Sequence, residues 1–203
     1  SRRLMIESEF HPDRVVTVYN SLNFSYHKKI YEERDGGELD DVKKELFHSR
    51  YNLPVVLFIG RLTREKKISY LLEAAFMCRQ RGVDFNCLIV GQGEELEQLK
   101  RQAKLWNISE SVYFYGSCYD ENINAKLIMI SECCVSPGNV GLTAIHSLSL
   151  GTPVITHDNF CHQGPEAETM IQDETGLFFK ENDVAELSFV IEDFILGNKK
   201  QQM

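Results

Sequence analysis

The stretch Val135-Ser136-Pro137-Gly138-Asn139-Val140-Gly141-Leu142-Thr143-Ala144-Ile145-His146-Ser147-Leu148-Ser149-Leu150-Gly151-Thr152-Pro153-Val154-Ile155-Thr156-His157 decides how this chain is read. A short apolar run reaches Ser136-Pro137, where proline stops a strand. Gly138 to Gly141 then form a flexible loop. Leu142, Ile145 and Ser149 fall at i, i+3 and i+7, the spacing of a one-faced helix. Gly151 closes that helix and Pro153 opens a second apolar run, Val154-Ile155. The segment reads strand, glycine loop, short helix, turn, strand. In a parallel sheet this sets unpaired helix amides at the carboxyl end of a strand, where α/β folds bind phosphate. The glycines let backbone approach a diphosphate, and Thr143 adds a hydroxyl. Taken alone, the loop fits an ordinary strand–helix crossover equally well.

The same alternation extends in both directions. Upstream, Arg14 to Tyr19 is a β-branched run that Asn20-Ser21 ends as a turn. Residues Phe24 to Ser49 are densely charged, and Glu38 to His48 reads as a solvated helix with Leu39, Val42 and Leu46 on one side; no chemistry is expected there. Leu53 to Ile59 is continuously apolar, as a central parallel strand buried on both faces should be. A helical stripe (Ile68, Leu71, Leu72, Ala75, Phe76), a strand at 85–90, an amphipathic helix at 94–106 and a strand at 112–115 follow. A helix at 122–130 feeds the central stretch; beyond it come a short helix at 166–172, a strand at 176–179 and a closing helix at 184–195. Strand and helix alternating in this way predict an α/β fold, a Rossmann-like doubly wound parallel sheet. The whole of 1–203 is expected to be one domain, with its core at about 14–196.

Composition narrows the function classes. A hydrophobic fraction of 43% against 26% charged residues is that of a globular domain. No apolar run approaches bilayer length, and Ser1-Arg2-Arg3-Leu4 contains no signal-peptide core. A net charge of −8 argues against nucleic acid as a partner but permits an anionic small ligand held by a local cationic cluster. The six cysteines form no C-x-x-C pair, so zinc-finger and disulfide frameworks are both poor readings and a reducing, cytoplasmic setting is expected. The missing initiator Met suggests a piece of a longer protein.

Four places could carry chemistry. Arg61 follows the apolar run and Gly60, and Lys66 lies five residues on, at the start of the next helix. A fork-shaped donor and a point charge suit two adjacent phosphates, although a solvated charged loop fits the crowding by Arg64, Glu65 and Lys67. His146 sits mid-helix, where a core histidine competes with a ligand contact. Gly91-Gln92-Gly93 lacks the third glycine of the dinucleotide fingerprint, and Glu94-Glu95 would repel a pyrophosphate, which disfavours NAD. Glu166 and Glu168 follow the strand that ends at His157 and are candidates for hydroxyl binding or proton transfer.

Together these motifs resemble a known family. Phe58-Ile59-Gly60-Arg61-Leu62 with Lys66, then Leu71-Leu72-Glu73-Ala74, then Ile89-Val90-Gly91-Gln92-Gly93 are similar to the donor-binding half of retaining glycosyltransferases of GT-B fold, family 4 or group 1. So are Val112, Phe114 and Gly116, the stretch from Ser136-Pro137 through Gly141-Leu142 to Gly151-Thr152-Pro153-Val154-Ile155, and Glu174-Thr175-Gly176-Leu177. With Arg14 to Ser21 as the opening strand and turn, the blocks run in the family's order over about residues 15–195.

The resemblance implies that Arg61 and Lys66 bind the donor diphosphate and act in catalysis. Gly60, Asn139, Val140, Gly141, Leu142 and Thr143 would complete the phosphate site, and the base would lie near Tyr115 and Gly116. The family also places two glutamates around the glycine loop with seven residues between them. The first touches the transferred sugar and the second holds the ribose. Gly138 and His146 stand at those positions here, and Lys67 replaces a usual glycine. The resemblance further implies a nucleoside-diphosphate sugar as substrate, a transferred hexosyl group, and neither metal nor cofactor. A saccharide or lipid-linked acceptor would be held by an N-terminal domain outside this chain, leaving the isolated domain inactive. Peripheral membrane association of the full-length protein and a role in polysaccharide biosynthesis are further implications. Two alternatives stay open: a non-catalytic nucleotide- or partner-binding relative, and a sugar-nucleotide epimerase of the same fold.

Overall fold

The computed structural model describes residues 11–14, 22–197 and 200. Six parallel strands form one sheet: β1 (Val55–Ile59), β2 (Asn86–Val90), β3 (Val112–Gly116), β4 (Cys133–Ser136), β5 (Val154–His157) and β6 (Gly176–Phe179). Their spatial order is β3-β2-β1-β4-β5-β6. The register is continuous at the centre, with Val56 opposite both Cys87 of β2 and Cys133 of β4. The doubly wound sheet read from the sequence is the one observed.

Among the described residues seven α-helices connect or flank the strands: α1 (Phe24–Glu32), α2 (Gly36–Phe47), α3 (Ile68–Gln80), α4 (Leu96–Leu105), α5 (Glu121–Met129), α6 (Thr143–Ser149) and α7 (Val184–Leu196). The continuous apolar runs of β1, β2 and β4 arise because these inner strands are covered on both faces. Val56 and Phe58 of β1 face one core with Leu71 and Leu72 of α3, Leu99 of α4 and Leu187 and Ile191 of α7. Val55 and Leu57 face the other, with Phe47 of α2, Ile128 of α5 and Ala144 of α6. Local signals fix the ends. Asp35 caps α2 by accepting from Gly37 N at 2.8 Å, and Asp120 caps α5 by accepting from Asn122 N and Ile123 N.

Three expectations need correction. The charged 24–49 segment holds two helices rather than one, and α1 buries His27. The stripe Leu142–Ile145–Ser149 is not the inward face of α6: Ala144 and Ser147 are buried, and Leu142 is exposed. Small residues face the sheet because a seven-residue helix pressed on β4 and β5 leaves no room for larger ones. Residues 165–169 form a 3-10 turn, not an α-helix. The strand expected at Arg14–Tyr19 lies outside the described residues except for Arg14, which ends a short turn.

Candidate functional site

The strand order reverses between β1 and β4, so their carboxyl ends diverge into helices on opposite faces of the sheet. Such a switch point opens a crevice in doubly wound sheets. The loops that leave it are Gly60–Lys67 and Pro137–Leu142, the two segments singled out in the sequence.

The first loop is built on close backbone approach. Gly60 N donates to Val90 O at 2.9 Å and Leu62 N to Gln92 O at 2.9 Å, which lashes the β1 loop to the β2 loop. A Cβ at Gly91 would lie 1.8 Å from Gly60 O, and Gly91 has φ +144, so no other residue fits. Gly91 and Gly93 thus serve this contact and not a dinucleotide fingerprint. The result is a cleft of about 390 Å³ lined by Gly60, Arg61, Gly91, Gln92 and the segment Ser117–Tyr119. Arg61 is exposed at this cleft, and its guanidinium has no hydrogen-bond or ion-pair partner among the described residues. Tyr115 and Gly116 do not line it. The side chain of Tyr115 packs on the second core instead, and burial pushes its pKa up. The segment that does line the cleft, Ser117–Tyr119, directly follows Gly116.

Lys66 ends a 3-10 turn, Arg64–Lys66, and its Nζ donates to Asn139 O at 2.5 Å. Burial pushes the Lys66 pKa down, and the Arg61 charge adds to this. The two cations therefore repel each other. Glu166 opposes the shift, so of the two carboxylates expected at this edge, Glu166 is near Lys66; Glu168 is exposed.

Gly138 answers a different demand. Its amide donates to Lys66 O at 3.1 Å, and a Cβ there would meet Glu65 O at 2.1 Å. The turn carrying Lys66 rests on the glycine loop, so no side chain can stand at position 138. Lys67 adopts a left-handed conformation (φ 50), which glycine takes more cheaply. Its ammonium donates to Glu181 Oε1 at 3.0 Å and Asn182 Oδ1 at 2.8 Å, anchoring the turn to the loop after β6.

Not every expected donor is free. Val140 N donates to Gln163 Oε1 at 2.9 Å, and Thr143 Oγ1 donates to Ile59 O at 3.1 Å. Asn139 offers its carbonyl to Lys66 and its side-chain amide to His162 O. The amides of Gly141 and Leu142 have no acceptor among the described residues. His146 does not line the cleft. Its ring lies 4.8 Å from that of His27 on α1, and its Nε2 is 3.1 Å from Glu121 Oε1. A helix turned to bury Ala144 and Ser147 carries His146 toward α1 and α5.

Three residues of this region escaped sequence reasoning. Gln163 bridges Val140 and Thr156 (Nε2 to Oγ1, 2.9 Å) and so ties the β5 loop to the glycine loop. Glu181 gathers Lys67, Asn159 and His162, and these bonds pull its pKa down to about 2. His27 sits in a run of charged residues with nothing local to mark it.

Residues 42–203 match the family of group 1 glycosyl transferases. The chain belongs to that family, and its fold is the Rossmann-like C-terminal half of the GT-B architecture. It is 30% identical over 135 residues to the α-monoglucosyldiacylglycerol synthase of Streptococcus pneumoniae, covering 64% of this chain and 29% of that protein. To the α-D-kanosaminyltransferase of Streptomyces kanamyceticus it is 27% identical over 124 residues, 58% of this chain and 32% of the other. The matched stretches span about a third of the length of these relatives. In fold it is similar to HepE of Anabaena, solved in complex with UDP (TM-score 0.79, 18% identity, 98% of this chain and 52% of that one). It is also similar to the C-terminal domain of the group 1 glycosyl transferase LpcC from Francisella tularensis (TM-score 0.64, 16% identity, 78% and 85%). Among the described residues no helix is long and apolar enough to cross a membrane.

Proposed function

We propose that this chain is the donor-binding half of a retaining glycosyltransferase that uses a nucleoside-diphosphate sugar to extend a saccharide or lipid-linked acceptor. Two observations support the reading: Arg61 lines the cleft beside the end of β1, and Lys66 is bonded to Asn139 of the glycine loop, whose Gly141 and Leu142 amides have no acceptor among the described residues. The nucleoside occupies the cleft between the β1, β2 and β3 ends, with the Ser117–Tyr119 segment as its wall. The diphosphate crosses to Lys66 and the glycine loop. As the glycosidic bond to phosphate breaks, negative charge grows on the departing diphosphate, and two pre-placed cations stabilise it without reorganising. In this reading neither metal nor cofactor is required, because those cations take a metal's role. The acceptor is held by a further domain, and the isolated chain binds donor without transferring it.

A thermal-shift and calorimetric panel of UDP, GDP, ADP and their sugars tests this. Saturable binding of one nucleotide series, weakened in R61A, supports it; no response to any member removes it.

One observation favours a second reading, a nucleotide-binding relative without activity. Position 138 is closed to any side chain by Glu65 O, so it offers the transferred sugar no carboxylate. Donor hydrolysis or transfer by the full-length protein would eliminate this reading.

A further inference from the structure

Beside the cleft, helices α1, α5 and α6 converge on three side chains of ligand type. His27 is 2% exposed, Glu121 opens α5, and His146 lies half-buried on α6. Glu121 Oε1 stands 2.6 Å from His27 Nε2 and 3.1 Å from His146 Nε2, and the three ligand atoms all lie within 4.8 Å of one another. The contacts are unequal in kind. His27 Nε2 hydrogen-bonds the carboxylate. His146 Nε2, although buried and close, makes no hydrogen bond, and neither does His27 Nδ1 among the described residues. A buried polar nitrogen left unpaired is costly. A nitrogen lone pair set against a carboxylate oxygen calls for a cation between them, either a proton or a metal ion. Two imidazole nitrogens and one carboxylate oxygen gathered within 4.8 Å make a metal ion the occupant that engages all three groups at once.

We propose that His27, Glu121 and His146 form a binding site for one divalent transition-metal ion of the zinc type, held through the two Nε2 atoms and a Glu121 carboxylate oxygen. Two imidazoles and one carboxylate make a borderline donor set that suits zinc better than calcium or magnesium. Bonds of about 2.0–2.2 Å place tetrahedral ligand atoms roughly 3.3–3.5 Å apart. The two Glu121 contacts, at 2.6 and 3.1 Å, need to open by less than an ångström to reach that spacing, and the two Nε2 atoms lie within 4.8 Å of each other. Glu121 is partly exposed, which leaves the fourth position to water. The ion clamps α1 to α5 and α6, an attachment otherwise supported by the Tyr26 hydroxyl donating to Asn122 Oδ1 at 3.0 Å. The inference rests on this cluster and is independent of the glycosyl-transfer reading.

The full chain, stripped with chelator, is titrated with Zn²⁺ by calorimetry and with Co²⁺ by visible absorption. One equivalent of zinc, a cobalt d–d band and a raised melting temperature are expected. H146Q and E121Q should each weaken zinc by more than about 100-fold, beyond the roughly 10–100-fold typical of residues that only orient a ligand. The cobalt band should persist in a variant carrying Cys118→Ser and Cys161→Ser. Absence of saturable binding, native affinity retained in both site variants, or loss of binding with the cysteines overturns the proposal. E121Q changes a partly exposed side chain and keeps the test readable if H146Q folds poorly.

Discussion

At the residue scale, Arg61 and Lys66 differ in what each contributes. Arg61 is exposed and waits at the cleft, so its removal leaves the fold alone. R61A should weaken nucleoside-diphosphate binding by about 1–3 kcal/mol, the range of a charge-assisted hydrogen bond, with an unchanged melting temperature. Calorimetry showing equal affinity would take Arg61 out of the site. Lys66 is part-buried and its pKa is already lowered by burial and by Arg61. A bound diphosphate raises that pKa again, so binding takes up a proton wherever free Lys66 has begun to lose its own. Affinity should therefore fall as pH rises through the alkaline range, starting below the ordinary lysine value of 10.5. In K66A that slope should be absent; an identical slope in both proteins would assign it to another group.

At the element scale, the turn Arg64–Lys66 is held from two sides, by the glycine loop beneath it and by Glu181 behind Lys67. G138A drives a methyl group into Glu65 O, 2.1 Å from the new carbon. Backbone cannot yield cheaply there, so a lowered melting temperature and lost nucleotide binding are expected together; a variant with unchanged values in both would show that the turn is free to lift. The Glu181 carboxyl sits at about 2 in the fold against 4.5 for an unperturbed glutamate. Because the folded value is depressed, its contribution is present above 4.5 and disappears as pH falls toward 2. The melting-temperature gap between the native protein and E181Q should therefore narrow over that window. A gap constant with pH would deny Glu181 its role. Neither tie was legible locally: Gln163 and Glu181 act through contacts with loops over 20 and 110 residues away in sequence.

At the scale of the whole molecule, a sheet covered on both faces hides its cysteines. Cys78, Cys87, Cys133 and Cys134 are buried, while Cys161 is exposed and Cys118 intermediate. Burial pushes the thiols of Cys78 and Cys134 up to about 11, and those of Cys87 and Cys133 are pushed up by burial as well. A thiol-reactive dye should modify two groups quickly in the native chain and six after denaturation; fast reaction of a third would mean that a face of the sheet is open.

The order of apolar runs, the glycines between them and the Arg61–Lys66 spacing were enough to determine the sheet, its winding and the loops at its switch point. These features are local or periodic, and each residue carries its own signature. Tertiary structure alone decided which donors remain free, since Val140 and Thr143 are already bonded to Gln163 and Ile59. It alone decided the orientation of α6 as well. A seven-residue helix with apolar and small residues on several sides has no unique inward face until the sheet selects one, and that choice sent His146 to meet His27 and Glu121.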